Sequence, residues 1–153
     1  MSAPTKAANS PFTATSGQLA TFRLDGDLYG VEVEHVQEVL KSQGLTRVPL
    51  APAAVAGLIN LRGQVVTAIE LRERLGRPPR PEGTDAVVIV VRLHGEAVSL
   101  LVDSIADVVD VDAADFEAPP DTLEGQARDL IRGAYKLDGQ LLLALDVQKA
   151  VSA

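Results

Sequence analysis

Val33-Glu-His-Val-Gln-Glu-Val-Leu40 returns 69 residues later as Val102-Asp-Ser-Ile-Ala-Asp-Val-Val109. Every apolar position matches, and so do both acids, Glu34 with Asp103 and Glu38 with Asp107. The same shift lays Phe22-Arg-Leu-Asp-Gly-Asp27 on Val91-Arg-Leu-His-Gly-Glu96. Further along, a shift of 76 lays Gly57 on Gly133, Leu61-Arg-Gly-Gln-Val-Val66 on Leu137-Asp-Gly-Gln-Leu-Leu142, and Ala68-Ile-Glu-Leu71 on Ala144-Leu-Asp-Val147. The second copy carries seven extra residues between Val109 and Ile131. Ordered matches of this kind mark two copies of one supersecondary unit, too few for a solenoid. They are expected to form two similar small subdomains.

Each copy reads as short strands. Gln18 to Leu24 and Asp85 to Leu93 are apolar runs ending in the Gly-containing turns Asp25-Gly-Asp27 and His94-Gly95. Each turn leads into a second run, the pattern of a β-hairpin. Val36 to Leu40 and Ile105 to Val111 read as strands after a bend. A second hairpin follows in each copy, around Arg62-Gly63 and around Asp138-Gly139, where glycine tolerates positive φ. Glu70 and Asp146 then stand at the start of short helical stretches, where an acid suits the positive end of the helix dipole. Five strands and a helical turn per copy predict a mainly β fold of two small barrels, an architecture that removes exposed sheet edges.

The boundaries follow from composition. Residues 1–16 are rich in Ala, Ser, Thr and Pro without period and read as a disordered tail. The first repeat covers about 17–76 and the second about 85–151. Between them Arg77-Pro-Pro-Arg-Pro-Glu-Gly83 reads as a stiff exposed connector, because proline offers no amide donor to a sheet or helix.

The composition excludes much chemistry. The 153 residues are 46% hydrophobic but 3% aromatic, so the core is aliphatic. With no Cys there is no disulfide and no thiolate chemistry, and with His35 and His94 alone there is no three-histidine metal site. The chain implies no catalytic residue, no metal and no cofactor. Ser99 and Ser104 lack a Gly-x-Ser-x-Gly surround, and Asp110 to Asp115 lacks the glycine and distal glutamate of a calcium loop. No apolar stretch reaches the roughly 18 residues of a membrane span, and the polar N-terminus is no secretory signal. Net charge is −7, distributed as +2 over residues 1–80 and −9 over residues 81–153. An acidic chain argues against nucleic acid as a partner. The asymmetry fits two halves with different surfaces, or simple drift on solvated faces.

Arg62 stands apart at a hairpin tip where the second copy has Asp138. A guanidinium on a rigid turn is a fixed fork of donors suited to an interface, or else an ordinary solvated turn residue. Gly57 and Gly133 share a slot that needs either a bulge without Cβ or close approach of a partner.

These residues resemble a known family. Leu28-Tyr-Gly-Val-Glu-Val-Glu-His-Val-Gln-Glu-Val39, Thr46-Arg-Val-Pro49, Ala56-Gly-Leu-Ile-Asn-Leu-Arg-Gly63 and the block Val102 to Val109 are similar, at matching spacing, to the CheW-like chemotaxis coupling proteins. The resemblance runs from about Gln18 to Val151. It implies two tandem five-stranded SH3-like barrels and a non-catalytic cytoplasmic adaptor, associated with membrane receptor arrays through protein contacts. Its partners would be the cytoplasmic tip of a chemoreceptor and the regulatory domain of a CheA-type histidine kinase. Carried over residue by residue, receptor contact implicates Val33, His35, Val36, Glu38, Gly57 and Arg62, in or near a groove between the barrels. Kinase contact implicates barrel ends, with Phe116, Glu117 and Leu123 as candidates. An adaptor of another chemosensory pathway, such as surface motility, or a small-ligand-binding barrel are the alternatives. Glu70 stands where the family commonly has Asp, and His35 where Lys is common.

Overall fold

A computed structural model describes residues 17–41, 45–46, 48–81, 83–123 and 125–152. The tail at 1–16 and Glu82 of the connector lie outside the described residues. The first copy contributes β1 (Gly17–Leu24), β2 (Asp27–Glu32), β3 (Val36–Lys41), β4 (Leu45–Thr46), β5 (Val55–Leu61), β6 (Gln64–Glu70) and α1 (Leu71–Arg74). The second contributes β7 (Val87–Leu93), β8 (Glu96–Val102), β9 (Ser104–Val111), β10 (Phe116–Glu117), α2 (Gly125–Leu130), β11 (Ile131–Leu137), β12 (Gln140–Leu145) and α3 (Val147–Val151). The hairpins and the terminal helical turns stand where the sequence places them. The two-residue strands β4 and β10 and the helix α2 are additions to that reading.

Among the described residues the strands form two six-stranded sheets, ordered β10-β11-β12-β2-β1-β9 and β3-β7-β8-β6-β5-β4. Both sheets must roll. Flat, six strands spaced about 4.8 Å apart hold their outer members about 24 Å from each other. Yet β3 ends at Lys41 and its opposite edge β4 begins at Leu45, a reach of at most about 14 Å for four residue steps. β9 and β10, the edges of the other sheet, are joined just as tightly through a 3-10 turn at Ala113–Asp115. Two small barrels result.

The barrels do not coincide with the sequence copies. The hairpin β1-β2 of the first copy sits in the barrel built mainly from the second, and the hairpin β7-β8 sits in the barrel built mainly from the first. Two parallel pairings make the exchange, Leu142–Ala144 of β12 on Leu28–Gly30 of β2, and Thr67–Glu70 of β6 on Val98–Leu101 of β8. The 3-10 turn Val33–His35 carries the chain from one sheet to the other. The expected subdomains of 17–76 and 85–151 are therefore interlocked: each copy supplies a hairpin to its neighbour.

The exchange explains the aliphatic runs. One barrel interior holds Leu19, Leu28, Val111, Tyr135, Leu142 and Ala144; the other holds Ile59, Ala68, Val88, Val90 and Leu101. A larger cluster between the barrels takes the alternate residues of the same strands: Tyr29 and Val31 of β2, Ile89 and Val91 of β7, Leu100 and Val102 of β8, Leu143 and Leu145 of β12. Strands buried on both faces read as continuous apolar runs instead of alternating ones. Phe22 and Tyr29 stack there with centroids 5.8 Å apart.

Candidate functional site

Arg62 and Gly63 close the β5-β6 hairpin with φ of 51° and 85°, the two positive values of a type I′ turn. The Asn60 side chain accepts from the Gly63 amide at 3.0 Å and stiffens the tip. From this tip both terminal nitrogens of Arg62 donate to the two carboxylate oxygens of Glu38, each at 2.6 Å. Glu38 lies on β3, the far edge in the sheet order, so only rolling of the barrel unites the pair. The hydrogen bonds from Arg62 hold the Glu38 carboxyl below its ordinary range. The Arg62 side chain remains 74% exposed while that of Glu38 is 17% exposed. The acid is thus a backstop and the guanidinium the exposed part.

Val33 and His35 lie on the turn between the sheets and are half-buried, and His35 meets Glu32 at 3.2 Å. Val36 packs partly against the cluster between the barrels. Gly57 is buried, with φ +155°, at a bulge facing β4. A Cβ there would fall 2.3 Å from the Thr46 carbonyl oxygen. Its equivalent Gly133 leaves room for the Phe116 ring, 2.3 Å from where a Cβ would stand. Of the two readings of this slot, the backbone one has a visible cause in both copies: β4 and β10 lie against the glycines.

The kinase candidates separate. Phe116 packs edge-on against Tyr135, centroids 5.2 Å apart, and is half-buried. Leu123 packs partly against the inter-barrel cluster. Glu117 is exposed and pairs with Lys136 at 3.2 Å. Among the exposed apolar side chains are two equivalent pairs, Val39 and Val65 in one barrel and Val108 and Leu141 in the other. Each barrel therefore carries an apolar surface next to its second hairpin.

Sequence reasoning missed a charged junction at the connector. Arg72 of α1 is buried, and it donates to Asp103 from Nε at 2.9 Å and from Nη2 at 2.6 Å. Its Nη1 reaches the carbonyls of Pro78 at 2.8 Å and Pro79 at 3.3 Å. Arg80 bonds Asp103 at 3.1 Å and Glu70 at 2.9 and 3.2 Å. Arg77 bonds Asp25 at 3.2 Å, the Tyr29 hydroxyl at 3.0 Å, and Asp27. Burial alone would raise the Asp103 carboxyl. Hydrogen bonds from Arg72 and from the Asp25 amide, with the charges of Arg72 and Arg80, outweigh that and bring it to about 2. No local spacing links Arg72 to an acid 31 residues away; the proline-rich connector flanked by arginines was the available hint.

No group of three or more metal-ligating side chains occurs among the described residues, and both barrel interiors are filled by side chains. No helix among them is long and apolar enough to cross a membrane. Fold and surface together define a two-barrel module that presents contact surfaces. The family model of the CheW-like domain matches residues 18–153, and the chain belongs to that family of chemotaxis coupling adaptors. It is 31% identical over 140 residues to the chemotaxis protein CheW of Treponema pallidum, covering 89% of this chain and 82% of that protein. It is 30% identical over 132 residues to the chemotaxis protein CheW of Bacillus subtilis, covering 86% and 85%. The crystal structure of the scaffolding protein TtCheW from Thermoanaerobacter tengcongensis superposes with a TM-score of 0.75 at 29% identity, covering 86% of this chain and 89% of that one.

Proposed function

We propose that this chain couples the cytoplasmic tips of chemoreceptors to the regulatory domain of a CheA-type histidine kinase, working in the cytoplasm without catalysis. The single observation that carries the receptor reading is the Arg62–Glu38 pair. A rigid turn and a two-point ion pair hold an exposed guanidinium in one orientation, so little side-chain entropy is lost when a partner accepts from it. Val33, His35 and Val36 lie on the segment between the barrels and would meet the apolar stripe of a receptor helix. Gly57 shapes the same barrel from beneath. The kinase would dock on barrel ends, through Glu117 and the exposed Val108 and Leu141 in one barrel or Val39 and Val65 in the other.

The test is binding of a receptor-tip helical hairpin to wild type and Arg62→Ala, with thermal melts on the same preparations. Weakened binding with an unchanged melting temperature is expected. Unaltered binding refutes the assignment of Arg62 to the receptor site.

A further inference from the structure

Both histidines of the chain line one cleft of about 320 Å³, together with Glu32, Arg92, Arg132 and Asp146. Its walls come from both barrels. His35 lies on the turn leading into β3, and Arg92 and His94 lie at the β7-β8 tip. Arg132 belongs to β11, and Asp146 precedes α3. A volume at the lower limit for ligand pockets suits one inserted side chain better than a cofactor.

The two acids of the cleft are already engaged. Glu32 meets His35 at 3.2 Å and Arg132 at 3.5 Å. The Asp146 carboxylate caps α3 by accepting from the Lys149 amide at 3.1 Å. Arg92 is held differently. Its Nε donates to Gln37 Oε1 and its Nη1 to the Gly95 carbonyl, both at 2.7 Å. Both acceptors are neutral, so among the described residues the guanidinium is oriented without being neutralised, and Nη2 is available to a partner. The residue is exposed. A fixed, uncompensated arginine in a chain of net charge −7 is a local exception to a field that repels acidic partners.

We propose that this cleft receives an Asp or Glu side chain from the docked receptor helix, bound through Arg92, with Arg132 and the imidazoles lining the remaining wall. The inference rests on the receptor reading above and names the chemistry its groove selects. A charge-assisted bond to an oriented guanidinium discriminates a carboxylate from its amide.

The probe is a soluble helical-hairpin fragment of a chemoreceptor cytoplasmic tip, titrated against the full chain. Wild type, Arg92→Gln, Arg92→Glu and Arg62→Ala are compared at low and high salt, and melts confirm that each variant is folded. Arg92→Gln should weaken binding about tenfold and Arg92→Glu further, in line with loss of a charged contact. The salt dependence of wild type should flatten in Arg92→Gln. Fragments with single acids replaced by glutamine should include one whose loss is not additive with Arg92→Gln. If wild type and Arg92→Glu bind equally while Arg62→Ala does not, the cleft inference fails and the receptor reading stands. If wild type does not bind the hairpin, both fail.

Discussion

Replacing Asp103 by asparagine tests the junction that holds the connector and both barrels together. The carboxylate accepts from Arg72, Arg80 and the Asp25 amide. Asparagine keeps one acceptor oxygen but turns an NH2 group toward these donors and leaves the buried Arg72 with only the more distant Asp25, at 4.0 Å, as an ion-pair partner. The drop of the carboxyl from 3.8 to about 2 corresponds to roughly 2.4 kcal/mol at about 1.4 kcal/mol per pKa unit. The site keeps contact with water, so screening trims this to about 1–2 kcal/mol. For a chain of this length that is a fall in melting temperature of about 2–8 °C. The sign with pH follows from the lowered native value. The stabilisation is full above about pH 4 and disappears as pH falls through the native value near 2. Urea unfolding of wild type and Asp103→Asn at pH 7, 4, 3 and 2 reads the difference directly, since both share every other carboxylate. The gap should be present at pH 7 and closed near pH 2. Adding Arg72→Met to Asp103→Asn should recover part of the loss by removing the stranded charge. Equal urea midpoints at pH 7, or a gap that persists unchanged at pH 2, would refute the reasoning.

Gly57→Ala should cost about 2–3 kcal/mol, because its Cβ meets the Thr46 carbonyl in a positive-φ backbone; a wild-type denaturation midpoint would contradict this. Gly133→Ala should also destabilise, by pushing the Phe116 ring away, and loss of the Phe116–Tyr135 contact should show in aromatic NMR shifts. Ser99→Ala should stabilise by about 1 kcal/mol, since the Ser99 hydroxyl is fully buried without a hydrogen-bond partner among the described residues. Thr21, buried equally but donating to the Asp107 carbonyl, should lose stability on replacement by valine, and denaturant melts of the two variants should move in opposite directions.

Much of the local structure was legible in the chain. Turn residues mark the hairpins, since Asp25-Gly26, Arg62-Gly63 and His94-Gly95 are pairs that admit positive φ and all adopt it. Glu70 and Asp146 cap α1 and α3 with their side chains, as their positions suggest. The strands β4 and β10 are not legible in the chain because two residues show no period. α2 is not legible either, because Gly125–Leu130 lies in the insertion that has no counterpart in the first copy. Arg62 stood out as a turn residue, but nothing near it in sequence named Glu38 as its partner.

The sequence by itself determined that there are two copies of a β unit, an aliphatic core, and an arginine in the first copy where the second has aspartate. These are local properties: turn chemistry, apolar runs and aligned repeats all act within a few residues. Only the tertiary structure decided which hairpin completes which barrel. A strand buried on both faces carries no alternation to show which neighbour it pairs with, so the exchange of β1-β2 and β7-β8 leaves no trace in the pattern. The long-range charges follow from that exchange. Arg72 finds Asp103, Arg77 finds Asp25, and Arg62 finds Glu38 only after the sheets have rolled and interlocked. The second copy's −9 half likewise names no surface until its acids are distributed over both barrels.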